Sequence, residues 1–133
     1  AVLHVLDAAL VEHTPDGVTI LNDAYNANPD SMRASISTLM TLEGDGRRIA
    51  VLGDMGELGS DEYQLHVDVG TFAAQADLDM LVCIGTLSVG IKAGALASRA
   101  SRALTRRSRF SKRTSRRATL FWLRHRVSWS WSA

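Results

Sequence analysis

One cysteine, Cys83, stands in the 133 residues, so no disulfide can form within the chain, and a reducing compartment is the simpler setting. Its neighbours Leu81, Val82 and Ile84 suggest a small core residue rather than a nucleophile. No apolar run approaches the ~20 residues a membrane-spanning helix needs, and no basic stretch precedes an apolar one at the N-terminus. A cytoplasmic protein without a membrane partner is therefore expected. Ala1 stands where an initiator Met would, which suggests a fragment or a processed chain. No metal-ligand cluster or Ser/His/Asp arrangement stands out. The most informative scarcity is local: residues 98–133 hold no Asp, Glu, Asn, Gln, Gly or Pro.

The formal charge of +1 conceals this asymmetry. Residues 1–97 carry all 14 acids against four Lys and Arg, a net of −10, while residues 98–133 carry 11 bases, a net of +11. So sharp a break reads as a boundary between a domain over 1–97 and a basic Arg/Ser/Trp tail over 98–133. The length suits one modest domain.

Leu3-His4-Val5-Leu6 is a short candidate strand and Pro15-Asp16-Gly17 a turn. Val18–Leu21 then reads as a strand. Met32, Ile36, Leu39 and Met40 recur at helical spacing, with Pro29 or Asp30 near the helix start and Asp30 or Ser31 as N-cap. Arg48–Gly53 and Met80–Gly85 are apolar runs of the buried parallel type. Between them Ser60 is placed to cap a helix whose apolar face includes Tyr63, Val67, Val69, Phe72 and Ala73. A last helix is read over 89–97. Alternating strands and helices predict a three-layer, Rossmann-like α/β domain with a mostly parallel sheet.

In such sheets ligands bind beyond the carboxyl ends of the strands, and two polar loops, 22–31 and 53–60, fall there. Asp23 can accept hydroxyl hydrogen bonds, for example from a ribose, or shape an Asx-turn. Asn26 and Asn28 can address a base or peptide, or serve as turn residues. Tyr25 can stack on a planar ligand or cover the sheet edge. Gly53-Asp54-Met55-Gly56-Glu57-Leu58-Gly59 is glycine-rich, but it matches neither phosphate-loop fingerprint, and its two acids would repel phosphate unless a cation intervened. Asp54 and Glu57 can reach a metal or, more simply, cap the next helix. His66, alone on that helix, reads as packing.

Three strings carry a resemblance: Asp-Ala-Tyr-Asn-Ala-Asn-Pro-Asp-Ser-Met-Arg at 23–33, Val-Leu-Gly-Asp-Met-Gly-Glu-Leu-Gly at 51–59 and Leu-His-Val-Asp-Val-Gly at 65–70. In order, from about Gly17 to Ala97, the chain resembles the C-terminal domain of the Mur ligase family. The first string is most similar to the branch that adds D-alanyl-D-alanine to UDP-N-acetylmuramoyl-tripeptide. The resemblance implies an ATP- and Mg-dependent amide ligase of peptidoglycan synthesis. It puts Asp23, Asn26 and Asn28 on the nucleotide side and Tyr25, Asn28 and Asp54 on the substrate side. It assigns this chain no catalytic residue and no metal ligand. Glu57 and His66 match motif positions without an assigned role. The implied partners are ATP, D-alanyl-D-alanine and the central ATPase and UDP-substrate domains, which are not in this sequence. Alone, the fragment is expected to bind no cofactor and to be inactive.

For the tail, the family reading and a binding module diverge. Arg with Trp122, Trp129 and Trp131 suits nucleic acid, the alternative function, although nucleic acid is not the expected partner. A membrane-surface segment and a solvated extension are the other readings. Shifting the reading frame across Arg117–Val127 permits the family-like string Gly-Asp-Val-Val-Leu-Val-Lys-Ala-Ser-Arg. The Phe121–Trp122 junction then forces Leu. The tail is accordingly read as frameshifted from about residue 97 and poorly ordered. The expected result is a sheet without its last strand and an exposed internal edge.

Overall fold

The computed structural model describes residues 2–6, 9–24, 26–105 and 118–122. Six strands form one sheet: β1 (Val2–Leu6), β2 (Ala9–His13), β3 (Thr19–Asn22), β4 (Arg47–Gly53), β5 (Met80–Ile84) and β6 (Ala118–Trp122). Their spatial order is β1-β2-β3-β6-β4-β5. β1, β2 and β3 pair antiparallel, whereas β3–β6, β6–β4 and β4–β5 are parallel. Among the described residues three α-helices accompany the sheet: α1 (Pro29–Thr41), α2 (Glu62–Gln75) and α3 (Val89–Thr105). The mostly parallel α/β architecture is the one expected.

The Pro15–Gly17 turn joins β2 to β3. Thr14 N–H donates to Val18 O at 2.8 Å, its hydroxyl accepts from Val18 N–H at 3.0 Å, and Gly17 takes φ +79°. β4 is buried from Arg48 to Gly53, as a central parallel strand should be. Leu21, Met32, Ile36, Leu39, Ala50, Leu52, Met55, Val69, Ala73 and Ile91 share one core with Val11. α2 packs on both α1 and α3. At the amino end of β4 the buried Arg48 guanidinium donates to the carbonyls of Leu42 (2.6 Å), Gly44 (3.2 Å) and Gly46 (3.0 Å). It thereby satisfies acceptors left unpaired just beyond α1.

Several expectations need correction. β2 was not foreseen, because Ala9-Leu-Val-Glu-His is short and lacks clear alternation. Asn28, not Asp30 or Ser31, caps α1, since the helix already starts at Pro29. Ser60 caps nothing: it lies within a short 3-10 turn, Gly59–Asp61, ahead of α2. On α2 the buried residues are His66, Val69, Gly70 and Ala73, while Tyr63 is exposed. The charge boundary at residue 97 does not end α3, whose alanines carry it on to Thr105.

The expected gap in the sheet is also filled. β6 lies between β3 and β4, pairing Thr19 with Thr119 and Ile49 with Leu120. Ala-Thr-Leu-Phe-Trp is the uncharged, β-prone interruption of the basic tail, which suits it to a central strand. The rest of the tail beyond α3, residues 106–117 and 123–133, lies outside the described residues.

Candidate functional site

β3, β6, β4 and β5 run parallel, so their carboxyl ends share one edge of the sheet. Among the described residues three loops leave that edge, within 23–28, 54–58 and 85–88. Because β6 intervenes, the exits of β3 and β4 lie two strand spacings apart, about 10 Å. The two polar loops of the sequence therefore leave the same edge two strands apart rather than touching at their roots.

The first loop is tied to α1 at both ends. Asp23, half-buried at the end of β3, accepts through Oδ2 from the hydroxyl of Ser35. Its Oδ1 has no partner among the described residues. At the other end Asn28 Oδ1 accepts from Ser31 N–H at 2.8 Å, and Ser31 Oγ accepts from Asn28 N–H at 3.0 Å. This reciprocal capping box satisfies two backbone donors and fixes the loop's exit angle. Asn28 Nδ2 is not used in it. Asn26 is exposed, and its carbonyl lies 3.3 Å from Ser31 Oγ. Tyr25 lies outside the described residues. The Asp30–Arg33 ion pair, 3.4 Å apart and solvated, contributes little.

The second loop is held by its first two residues. Asp54 Oδ1 accepts from Ser88 N–H at 2.7 Å and Oδ2 from Thr86 N–H at 2.9 Å, so the carboxylate seats against the chain entering α3. Gly85 makes room for it: a Cβ there would stand 2.2 Å from Asp54 Oδ1, and the residue takes φ +125°. Met55 N–H donates to His66 Nε2 at 2.9 Å. Nε2 is thus the acceptor, and Nδ1 carries the proton that bonds Glu62 O at 2.6 Å. His66 is fully buried and has both ring nitrogens occupied, as the packing reading requires. Glu57 is exposed at φ +58° and caps no helix.

Cys83 is half-buried and packs against the core; burial pushes its thiol up, with Lys92 opposing. Among the described residues no three of His, Cys, Asp and Glu stand together as a metal-ligand set. No helix among them is long and apolar enough to cross a membrane. Sequence reasoning passed over Ser35, Thr86 and Ser88, and offered Ser31 as the cap itself rather than as the partner of Asn28 in it. Ser31 and the cap were accessible through the Asn-x-x-Ser spacing before an apolar helix. Thr86 and Ser88 act through backbone N–H groups, which leave no mark in residue type.

The profile of the family described as "Mur ligase, glutamate ligase domain" matches residues 9–121. UDP-N-acetylmuramoyl-tripeptide–D-alanyl-D-alanine ligase of Mycobacterium tuberculosis is 48% identical over 75 residues, covering 53% of this chain and 15% of the relative. The Bacillus subtilis protein of the same name is 43% identical over 83 residues, covering 62% and 18%. The chain thus spans less than a fifth of the length of these relatives. Among solved structures, MurF from Acinetobacter baumannii superposes with a TM-score of 0.67 at 26% identity, over 87% of this chain and 26% of that one. MurF ligase from Thermotoga maritima in complex with ADP gives 0.59 at 26% identity, over 86% and 26%.

Proposed function

The chain belongs to the Mur ligase family, and we propose that it is the C-terminal domain of a cytoplasmic ligase that adds D-alanyl-D-alanine to UDP-N-acetylmuramoyl-tripeptide in peptidoglycan synthesis. One observation carries this reading: relatives bearing that name are 43% and 48% identical to this chain over 83 and 75 residues. On this reading the chain is one part of a composite site. The central ATPase and UDP-substrate domains supply the rest, and the isolated chain is inactive.

ATP, when bound, supplies the phosphoryl group that activates the substrate carboxylate for attack by the dipeptide amine. The residues on this edge fit part of that nucleotide. Asp23 offers an acceptor oxygen at a strand end, which suits ribose hydroxyls. Asn26 and the Nδ2 group of Asn28 offer amide groups on the same loop. Tyr25 and Asn28 are assigned to the dipeptide side. Asp54 belongs to that side as the wall of the second loop, since its own oxygens are bonded to backbone N–H groups. The triphosphate does not fit this edge alone, because Asp23, Asp54 and Glu57 are all acidic. Nor do the described residues fit a magnesium ligand set. Phosphate and metal accordingly belong to the central domain, and this chain's work is to orient nucleotide and dipeptide and to exclude water.

The test joins the full chain behind the first two domains of the Bacillus subtilis relative. The fused enzyme is expected to release phosphate from ATP only with the tripeptide substrate and D-alanyl-D-alanine both present, and Asp23→Ala to raise the ATP concentration at which release is half-maximal. A fused protein that folds by circular dichroism yet joins no dipeptide would refute the reading.

A further inference from the structure

Three hydroxyls on the helices of this protein bond backward, each to a carbonyl of its own helix. Ser37 donates to Arg33 O at 2.9 Å, Thr41 to Thr38 O at 2.8 Å and Thr71 to Val67 O at 3.1 Å. This is the usual local solution for a helical Ser or Thr. Ser35 departs from it. It sits on the buried face of α1 with Met32, Ile36 and Leu39, only 5% exposed. Its hydroxyl reaches off the helix to Asp23 Oδ2, twelve residues back.

A hydroxyl on an apolar face costs desolvation unless it is bonded. The carbonyl one turn back was available at no cost in long-range order. The bond made instead ties the second turn of α1 to the exit of β3. It also occupies one carboxylate oxygen of Asp23 and leaves the other without a partner among the described residues. With the Asn28–Ser31 box holding the far end, Asp23 is fixed in position by its chain and in rotation by Ser35.

We infer that Ser35 is a positioning residue: its hydroxyl orients the Asp23 carboxylate so that Oδ1 faces the nucleotide ribose at the sheet edge. This rests on the reading of Asp23 as a ribose contact. Ser35 touches no ligand itself and acts only through Asp23. Its removal should therefore weaken nucleotide binding without slowing the chemical step.

The fused ligase described above gives the kinetic test. Ser35→Ala is expected to raise the KM for ATP about fivefold, the scale of the net contribution of one ordinary hydrogen bond, with kcat unchanged. In an Asp23→Ala background the same change should do nothing more, because the two residues act as one unit. With 2′,3′-dideoxy-ATP the Ser35→Ala and parent enzymes should match. A Ser35 effect that persists in the Asp23→Ala background, or with the dideoxy nucleotide, overturns the inference. An Asp23→Ala enzyme with an unchanged KM for ATP overturns the ribose contact and the inference with it. A second measurement needs no activity. In the full 133-residue chain, NMR couplings across the Asp23 Cα–Cβ bond should report one side-chain rotamer, and averaged rotamers after Ser35→Ala. A single fixed rotamer in Ser35→Ala overturns the inference whatever the fused enzyme does.

Discussion

Gly70→Ala sets two known effects against each other. Gly70 lies inside α2, where replacing Gly by Ala is worth about 1 kcal/mol of helix propensity. Propensity alone therefore forecasts a more stable protein. The packing forecasts the opposite. A Cβ at Gly70 would stand 1.9 Å from the carbonyl oxygen of Ile91 on α3. Carbon–oxygen contacts normally begin near ~3.3 Å, so the helices would have to part by roughly 1.4 Å. The obstacle is backbone, so no side chain can rotate away. The seam is also closed from the other side: Cβ atoms at Gly94 and Gly90 would stand 2.0 Å from Val67 O and 2.9 Å from the Cβ of His66. Separating α2 from α3 would loosen Val69, Ala73 and Ile91, all buried in the shared core. Overpacking of this kind costs about 1–3 kcal/mol or more, and backbone contact belongs at the upper end. The net expectation is a loss of about 2 kcal/mol, or a fall of roughly 7 °C in Tm for a chain of this size. Thermal unfolding followed at 222 nm measures it. An unchanged or higher midpoint in Gly70→Ala would show that the helices are not held at backbone contact.

Asn28→Ala should lower stability by about 1 kcal/mol through loss of the capping box, whereas Asn28→Asp, which keeps the acceptor, should melt close to the parent; equal melting of all three would refute the cap. Cys83 gives a pH dependence. Its thiol is pushed above the ordinary 9.0 in the folded state, mainly by burial, so the folded chain holds that proton more tightly than the unfolded one. The corresponding stability is whole below about pH 9 and is lost as pH rises further. Urea midpoints from pH 8 to 10.5 should therefore fall more steeply in the parent than in Cys83→Ala, and parallel curves would contradict this.

Parts of the fold were legible because residue type and burial coincide there. β4 is a continuous apolar run and is buried along nearly its whole length. The edge loops follow from a strand, a polar segment and a helix in succession. Legibility failed where neighbours decide. β6 is written in five residues inside a basic tail, and only the place open between β3 and β4 makes it central. Ser35 reads as a polar blemish on an apolar helix face until the end of β3 is placed beside it. Gly90 and Gly94 share one face of α3 at a spacing of four, but only the position of α2 shows that they set how closely the two helices approach. His66 was legible as packing, but its bond to Met55 N–H depends on a loop eleven residues away.

The two aspartates at strand ends look equivalent in sequence, each following an apolar strand directly or after one glycine. Their surroundings separate them. Asp54 uses both oxygens on backbone N–H groups and has Gly85 packed against its carboxyl group. A ligand donor that competed for those oxygens would have to replace two bonds between β4 and the start of α3. Asp23 uses one oxygen on a side-chain hydroxyl, and it is the one of the two with an oxygen that accepts no bond among the described residues. That difference supports Asp23 as the ligand-facing acceptor of the pair and Asp54 as the strut that holds its loop in place.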